Sequence, residues 1–275
     1  MPELPEVETV INGIKPIILN QFISECHLFT KKLRYPVTPG LKRKLIRSSI
    51  TSIARRAKYI IINLDNNNTL IIHLGMSGRI VISSDNEIKD FKHTHLKLKF
   101  SNNMVLKFID PRRFGCIILI KSNDLAQHRL FNHLGLEPLE NDFNGLYLFK
   151  ICKNKSSTIK SVIMNQFYVV GVGNIYASEA LYISKINPKT KGGALRLNDC
   201  KLLVKSIKAI LRKSIKLGGS SISDYSMVNG KLGNYQNSLK VYAREGKNCL
   251  KKTCQGKILR IVIAQRSTFY CSHCQ

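Results

Sequence analysis

The chain has 275 residues, which is enough for two modest domains that each bury an apolar core. Hydrophobic residues make up 44% of it and charged residues 22%, an ordinary balance for a folded protein that excludes a disordered chain. The unusual feature is the charge, because 44 Lys and Arg residues face only 17 Asp and Glu residues, a formal net charge of +27. This excess favours a polyanionic partner, since each phosphate that a base neutralises releases condensed counterions.

The second half of the chain is the more basic. Residues 151–275 hold half of the basic residues but only four acids, namely Glu179, Asp199, Asp224 and Glu245. A lysine-rich composition that merely keeps the protein in solution is the alternative explanation. No stretch approaches the roughly 18 apolar residues that span a bilayer, and acids stand where a secretory signal carries bases. We therefore expect a cytoplasmic protein with no membrane contact.

The first predicted element is a helix that starts after Pro2. Its acids lie near the positive end of the helix dipole. Its apolar residues recur at helical spacing, namely Leu4, Val7, Val10, Ile11, Ile14 and Ile18. From about Phe22 to Lys121 the pattern changes to short β-rich runs, which include Tyr59–Leu64, Thr69–Leu74 and Val105–Ile109. This region predicts a β-sandwich or a flattened barrel.

Helical periodicity replaces the strand signal beyond Ser122. Five helices are predicted, at Asp124–Leu134, Gly145–Cys152, Ser157–Gln166, Asn174–Ile183 and Asn198–Leu217. The fold class is therefore α+β. We expect an N-terminal helix with a β-sandwich domain over residues 1–135, a helical domain over 136–240 and a small β-hairpin over 241–275.

Four cysteines near the C-terminus have the spacing of a metal site. Four residues separate Cys249 from Cys254, and two separate Cys271 from Cys274. Four thiolates around Zn²⁺ would fold a segment that is too short to build its own core. His273 lies between two of these ligands and could replace one of them. We expect one structural zinc ion, with no open position for catalysis.

The N-terminus carries a candidate nucleophile. Removal of Met1 would expose the secondary amine of Pro2, whose pKa of about 8 leaves part of it unprotonated near neutrality, whereas a retained Met1 would block it. Attack of this amine on a sugar C1′ gives an iminium ion that can accept electrons in later eliminations. Glu3 could supply a general acid. The alternative is that both residues simply begin a helix, where Pro and Glu are common.

Six dispersed motifs resemble those of the formamidopyrimidine-DNA glycosylase family, in the same order and along the whole chain. They are Pro2–Glu8, Arg55–Tyr59, His73–Gly78, Asp110–Gly115, Val170–Ala177 and Ala264–Cys271. The resemblance implies a monomeric base-excision repair enzyme that removes 8-oxoguanine and formamidopyrimidines from double-stranded DNA and then cuts the strand by β,δ-elimination. It also implies a helix-two-turn-helix motif and a zinc-bound β-hairpin, with DNA held between the domains.

The resemblance implies catalytic roles for four residues. Pro2 would be the nucleophile that forms the Schiff base, and Glu3 the acid that assists sugar opening and base release. Lys58 would donate a proton in β-elimination, although a lysine at a strand edge is otherwise an ordinary surface residue. Arg266 would hold a phosphate and assist δ-elimination.

It also implies that three residues fill the gap that an extruded base leaves in the duplex. They are Met76, Arg112 and Phe114, and such wedges offset a loss of stacking of about a few kcal/mol. Taken alone, Met76 and Phe114 would more often be core residues.

Further DNA contacts are implied elsewhere. Asn174 stands at a predicted helix N-terminus, where it would bind a phosphate, and a plain helix cap is its alternative role. His93 and Lys155 fall where the family contacts DNA. Leu217–Tyr225 resembles the mobile segment that closes over the flipped base.

Two other functions are left open. Endonuclease VIII, of the same superfamily, removes oxidised pyrimidines with the same amine chemistry, but the Leu4–Val7 start and the long loop after Leu217 favour the purine enzyme. A noncatalytic zinc-finger protein that binds DNA or RNA would also explain the charge and the cysteines. The gap of four residues between Cys249 and Cys254 departs from the family's usual two, which leaves the geometry of this part of the zinc site open.

Overall fold

The computed structural model describes residues 2–84, 92–221, 228 and 232–275. The chain divides into two units. The first unit covers Met1–Asn132 with Leu217–Gln236, and the second covers His133–Lys216 with Asn237–Gln275. The three-domain division at residues 135 and 240 stays a prediction.

The first unit begins with helix α1 (Leu4–Ile18). A capping box formed by Glu3 and Glu6 starts the helix, and the Glu3 amide donates to the Glu6 carboxylate at 2.8 Å. The predicted apolar face is buried, which confirms the periodicity. Its members are Leu4, Val7, Val10, Ile11, Ile14 and Ile18.

Two antiparallel sheets of four strands follow, with the short helix α2 (Leu41–Leu45) after the first strand. The strands are β1 (Ile23–Leu28), β2 (Ile50–Arg56), β3 (Tyr59–Leu64), β4 (Asn68–His73), β5 (Arg79–Ser84), β6 (Thr94–Phe100), β7 (Met104–Ile109) and β8 (Cys116–Lys121). One sheet has the order β1-β6-β7-β5 and the other β2-β3-β4-β8. Side chains of α1 and of both sheets share one apolar core. The predicted β-sandwich with its N-terminal helix is confirmed.

The second unit is helical and ends in a hairpin. Its helices are α3 (Gly145–Cys152), α4 (Ile159–Met164), α5 (Asn174–Ile183) and α6 (Leu197–Lys216), and its strands are β9 (Ile258–Ile263) and β10 (Arg266–Cys271). Helix α4 is shorter than the predicted Ser157–Gln166 at both ends, and it starts after Thr158 because that side chain accepts the Ser161 amide and caps the helix. Of the helices in the described ranges, none is long and apolar enough to cross a bilayer.

The predicted helix Asp124–Leu134 is wrong. A 3₁₀ turn at Ser122–Asp124 leads into further turns instead. Most of their hydrogen bonds span three residues, as from the Phe131 amide to the His128 carbonyl at 2.8 Å. Leu130 and Phe131 are the two buried residues of this segment, and a single pair does not supply the repeated apolar positions that bury one face of a helix.

Candidate functional site

One end of the β-sandwich collects five of the predicted site residues. In one sheet, the start of β3 pairs with the end of β4, which in turn pairs with the start of β8. In the other sheet, the end of β7 pairs with the starts of β5 and β6. The segments that adjoin these strand ends therefore lie at the same end of the sandwich. They carry Lys58, Met76, His93, Arg112 and Phe114.

An ion pair joins helix α1 to the turn that carries Lys58. Arg55 donates from Nε to the Glu8 carboxylate at 2.6 Å and from its guanidinium to the Ala57 carbonyl at 3.0 Å. Ala57 directly precedes Lys58 in the β2–β3 turn and has a φ of +54°. The N-terminal half of α1, which starts beside Pro2 and Glu3, is thereby tied to this turn.

The two residues before α1 are buried within the first unit, with Glu3 only 4% exposed. Glu6, also buried, accepts the amides of Glu3 and Ser220, both at 2.8 Å. Glu6 therefore connects the start of the chain with the segment that follows α6. Met1 and residues 222–225 of the predicted mobile segment lie outside the described residues.

His73 lies beside the Lys58 turn. Its Nδ1 accepts the Gly75 amide at 2.9 Å, so that the neutral ring carries its proton on Nε2. Burial, with the positive charges of Lys58 and Arg34, lowers the pKa of His73 from 6.5 to about 4. A neutral imidazole at pH 7 therefore accompanies Lys58. Sequence analysis did not single out His73, although it begins one of the six motifs.

The three predicted wedge residues are exposed. Met76 is 38% exposed on the turn between β4 and β5, and Phe114 is 47% exposed on the turn between β7 and β8. The Arg112 guanidinium lies 5.0 Å from the centre of the Phe114 ring, a cation–π distance. These side chains are not core residues. His93 is also exposed, at the entry to β6.

In the second unit, Asn174 is the first residue of α5, and Gly173 is the N-cap. Its side chain links helices to the hairpin instead of capping α5. The Lys160 ammonium, 1% exposed, donates to Asn174 Oδ1 and to Thr268 Oγ1, both at 2.6 Å. Asn174 Nδ2 donates to the Ser267 carbonyl at 2.8 Å. Sequence analysis missed Lys160, whose partner Thr268 is 108 residues away.

Arg266 is exposed at the start of β10, next to the hairpin turn. It lines a cleft of about 200 Å³ together with Lys160, Met164 and Ile263. Lys155 lies on the loop between α3 and α4, with its ammonium 5.2 Å from the centre of the Tyr168 ring. The lining of this cleft thus contains two basic residues, the buried Lys160 and the exposed Arg266.

Four thiols meet at the base of the hairpin. All four Sγ atoms lie within 4.8 Å of one another, with 3.8 Å between Cys249 and Cys274 and 3.7 Å between Cys254 and Cys271. A tetrahedron with metal–sulfur bonds of about 2.3 Å has edges of about 3.8 Å. The donor set and its spacing therefore fit a metal ion.

The long gap between Cys249 and Cys254 does not open this cluster. The Cys249 amide donates to the Gly256 carbonyl at 2.8 Å, and the Cys254 amide to the Lys251 carbonyl at 2.9 Å. These bonds fold the extra residues into a turn outside the four sulfur atoms. His273 is exposed and is not one of the clustered groups.

A buried carboxylate holds the chain that leads into the hairpin. Glu179 on α5, 1% exposed, accepts the amides of Lys240, Val241 and Tyr242, each at 2.9 Å. Burial raises the pKa of Glu179, while these amides act in the opposite direction. Sequence analysis missed this residue, because its partners lie more than 60 residues away.

Comparison with known proteins gives consistent matches along the chain. Residues 1–117 match the formamidopyrimidine-DNA glycosylase N-terminal domain, and residues 134–226 match the formamidopyrimidine-DNA glycosylase H2TH domain. The chain is 44% identical to the formamidopyrimidine-DNA glycosylase of Ruthia magnifica subsp. Calyptogena magnifica, over 100% of both chains.

Solved structures agree with these matches. A complex of a Lactococcus lactis FPG mutant with a Fapy-dG containing DNA has a TM-score of 0.91 and 35% identity, covering 100% of this chain and 99% of that one. A complex of Lactococcus lactis Fpg with an abasic site containing DNA has a TM-score of 0.90 and 35% identity, covering 99% of each chain. The chain therefore belongs to the formamidopyrimidine-DNA glycosylase family, DNA-binding enzymes of base excision repair with glycosylase and lyase activities.

Proposed function

We propose that this protein removes oxidised purines, namely 8-oxoguanine and formamidopyrimidines, from double-stranded DNA and then cuts the strand at the emptied site. The observation that carries the proposal is the strand register of the first unit. This register brings Lys58 and the three wedge residues to one end of the sandwich. The Arg55–Glu8 ion pair ties the helix that begins beside Pro2 and Glu3 to the Lys58 turn.

The chemistry begins at Pro2, after removal of Met1. The lone pair of its amine forms a bond to C1′ of the damaged nucleotide, and the base leaves with the electrons of the glycosidic bond and a proton. Glu3 protonates the ring oxygen as the sugar opens, which yields the iminium ion. The iminium takes up electrons when C2′ loses a proton and the 3′ phosphate leaves. Lys58 transfers protons in this β-elimination.

The DNA contacts divide between two kinds. Met76, Arg112 and Phe114 enter the gap that the extruded nucleotide leaves, and they compensate for lost stacking. His93, Lys155, Asn174 and Arg266 contact the phosphate backbone, and Arg266 assists the final δ-elimination. The amides at the start of α5 suit a phosphate, because a helix N-terminus carries partial positive charge.

The four cysteines bind one zinc ion in this proposal. Thiolate donors favour zinc in a four-coordinate site, and the sulfur separations suit its bond length. When bound, the ion supplies folding free energy and no catalytic position. The cysteines orient the β9–β10 hairpin, which presents Arg266.

We also propose that the protein is a monomer that acts in the cytoplasm, on nucleoid DNA. Its thiols suit a reducing compartment, where closely spaced cysteines bind metal instead of forming disulfides. Light scattering of the zinc-loaded protein measures its mass, and the mass of a dimer would contradict the monomer.

We propose three domains for this chain. They are a catalytic domain over residues 1–135, a helix-two-turn-helix domain over 136–240 and a zinc hairpin over 241–275.

The test is borohydride trapping on a duplex with one 8-oxoguanine. Borohydride reduces the iminium ion to a stable amine, so wild-type protein with Met1 removed is expected to give a covalent adduct. Pro2→Gly is expected to give none while it still binds the duplex. DNA binding by zinc-loaded wild-type protein without any adduct would leave the noncatalytic zinc-finger function.

Two further arms separate the remaining functions. Glu3→Gln is expected to lower excision by about 10²–10⁴-fold, the usual contribution of a general acid, whereas a simple DNA-binding protein tolerates this change. A thymine-glycol duplex tests the endonuclease VIII alternative. Faster excision of thymine glycol than of 8-oxoguanine would replace purines with pyrimidines as the substrate.

A further inference from the structure

The two turns that carry the wedge residues come from distant parts of the chain. Met76 lies on the β4–β5 turn, and Arg112 and Phe114 lie on the β7–β8 turn. All three project from the protein surface, so the apolar core does not hold their positions directly. If they are to enter one gap in a duplex, the two turns need a fixed relative position.

Asp110 joins the two turns through its side chain. This carboxylate is fully buried, directly after β7. Its Oδ1 accepts the Ser77 hydroxyl at 2.7 Å, and its Oδ2 accepts the Gly115 amide at 2.7 Å. The Ser77 oxygen in turn accepts the Arg112 amide at 3.2 Å. Both turns are therefore bonded to one carboxylate and to each other.

The backbone of Asp110 is also hydrogen-bonded. Its carbonyl accepts the Nε2 hydrogen of buried His95 at 2.8 Å and the Arg113 amide at 3.2 Å. Its amide donates to the His93 carbonyl at 3.1 Å. These bonds attach the backbone of Asp110 to the start of β6. A shift of either turn would therefore break bonds at Asp110.

The turns also touch through two glycines. Gly75 has a φ of +65°, and a Cβ atom there would lie 2.4 Å from the Gly115 nitrogen. A side chain at Gly75 would therefore separate the turns. Close backbone contact and the buried carboxylate thus act together on the same pair of segments.

We infer that Asp110 is a positioning residue for base extrusion, which fixes the spacing of the Met76 and Arg112–Phe114 turns. The inference rests on the proposed function, because it needs these residues to fill the gap in the duplex. A carboxylate suits the role, since an ionised acceptor binds two donors more strongly than a neutral one. The side-chain amide of Asp110→Asn has one oxygen that accepts and one nitrogen that donates. The nitrogen would face either the Ser77 hydroxyl or the Gly115 amide, so one of the two hydrogen bonds is lost or reversed.

The test compares Asp110→Asn with Thr69→Val. Thr69 is the matched control, because it is fully buried in the same unit and its hydroxyl bonds Asn63 and Ser122 at 2.7 and 2.9 Å, at the opposite end of β4. Each protein is assayed for strand cleavage at an abasic site in a duplex and in a single strand. A single strand has no stack to fill, so only duplex cleavage depends on the spacing of the turns.

We expect Asp110→Asn to lower duplex cleavage about tenfold relative to single-strand cleavage, as for the loss of one hydrogen bond to a charged group. Thr69→Val is expected to keep the wild-type ratio even if it lowers the melting temperature. Ser77→Ala serves as a second variant that keeps the charge, and it is expected to shift the ratio in the same direction by a smaller factor.

A fluorescence signal separates positioning from general loss of stability. With 2-aminopurine opposite a tetrahydrofuran abasic analogue, binding of wild-type protein changes the fluorescence as side chains enter the gap, and saturating Asp110→Asn is expected to give a smaller change. An unchanged cleavage ratio and an unchanged signal in both variants would overturn the inference. Wild-type protein that cleaves neither substrate would instead contradict the proposed function.

Discussion

The first unit and the C-terminal hairpin are stabilised by different means. The first unit packs α1 and two sheets around a large apolar core that includes Val10, Leu70 and Phe108. The hairpin belongs to a small cluster of buried residues, of which two are thiols, namely Val241, Cys249, Ile258, Phe269 and Cys271. The groups assigned to chemistry at C1′ therefore stand on an apolar scaffold. Arg266 stands on one that depends on a metal ion.

This difference means that the two parts can be disabled separately. Structural zinc contributes about 10–16 kcal/mol to small zinc-binding segments, far more than a few apolar side chains provide. Loss of metal should therefore unfold the hairpin and leave the sandwich intact. Loss of one core side chain should destabilise the sandwich and leave the hairpin folded.

The largest effect is expected from Cys254→Ser. This change removes one sulfur donor, so the amides of β9 and β10 should lose protection against hydrogen exchange, and duplex affinity should fall. Exchange in the β-sandwich should not change. Hydrogen-exchange mass spectrometry measures both regions in one experiment, with Cys26→Ala as the control because Cys26 is a buried thiol of the first unit. Full hairpin protection in a zinc-free variant would contradict the metal-dependent scaffold.

A smaller effect of the opposite kind is expected from Phe100→Ala. Phe100 on β6 is 1% exposed, and truncation of such a side chain costs about 3–5 kcal/mol of unfolding free energy. Denaturant unfolding should show this loss in the first unit while hairpin exchange stays at the wild-type level. Phe29→Ala is the matched control in the same unit, because Phe29 is 60% exposed and should cost under about 0.5 kcal/mol. Equal losses in the two variants would place Phe100 outside the stabilising core.

The third effect concerns pH and belongs to the first unit. The pKa of His73 is about 4 in the folded protein and 6.5 ordinarily, so the unfolded chain binds more protons between these values. Stability should therefore rise with pH from about 4 to 6.5 and then level off, by about 3 kcal/mol in total. Urea unfolding at pH 4.5 and pH 7 measures this slope. His73→Gln has no group to protonate, and the same slope in that variant would assign it to another residue.

The sequence predicts much of this comparison, for identifiable reasons. Helix α1 and the strands were predictable because one face of each is apolar over several residues. The four cysteines were predictable because close spacing in sequence implies closeness in space. The segment Asp124–Leu134 was not, because Leu130 and Phe131 are buried by turns that lack a regular period.

Buried charged residues were the hardest part of the site to predict. Lys160 and Glu179 look like surface residues in the sequence, because Thr268, which accepts from Lys160, lies 108 residues away and Lys240, which donates to Glu179, lies 61 residues away. Asp110 begins the motif Asp110–Gly115. Its inferred role depends on a hydrogen bond from Ser77, which is 33 residues away in the sequence. The roles of Pro2, Glu3 and Lys58 stay predictions, of which borohydride trapping with Pro2→Gly tests the first and Glu3→Gln the second.

The contact between Gly75 and Gly115 has a consequence for how this protein can evolve. A Cβ at Gly75 would meet the Gly115 nitrogen, and one at Gly115 would lie 2.6 Å from the His73 carbonyl oxygen. The two close approaches thus involve different neighbouring atoms, although they occur at the same pair of turns. Both positions, 40 residues apart, should therefore accept little other than glycine during sequence drift, because a side chain at either one forces the neighbouring atoms to move.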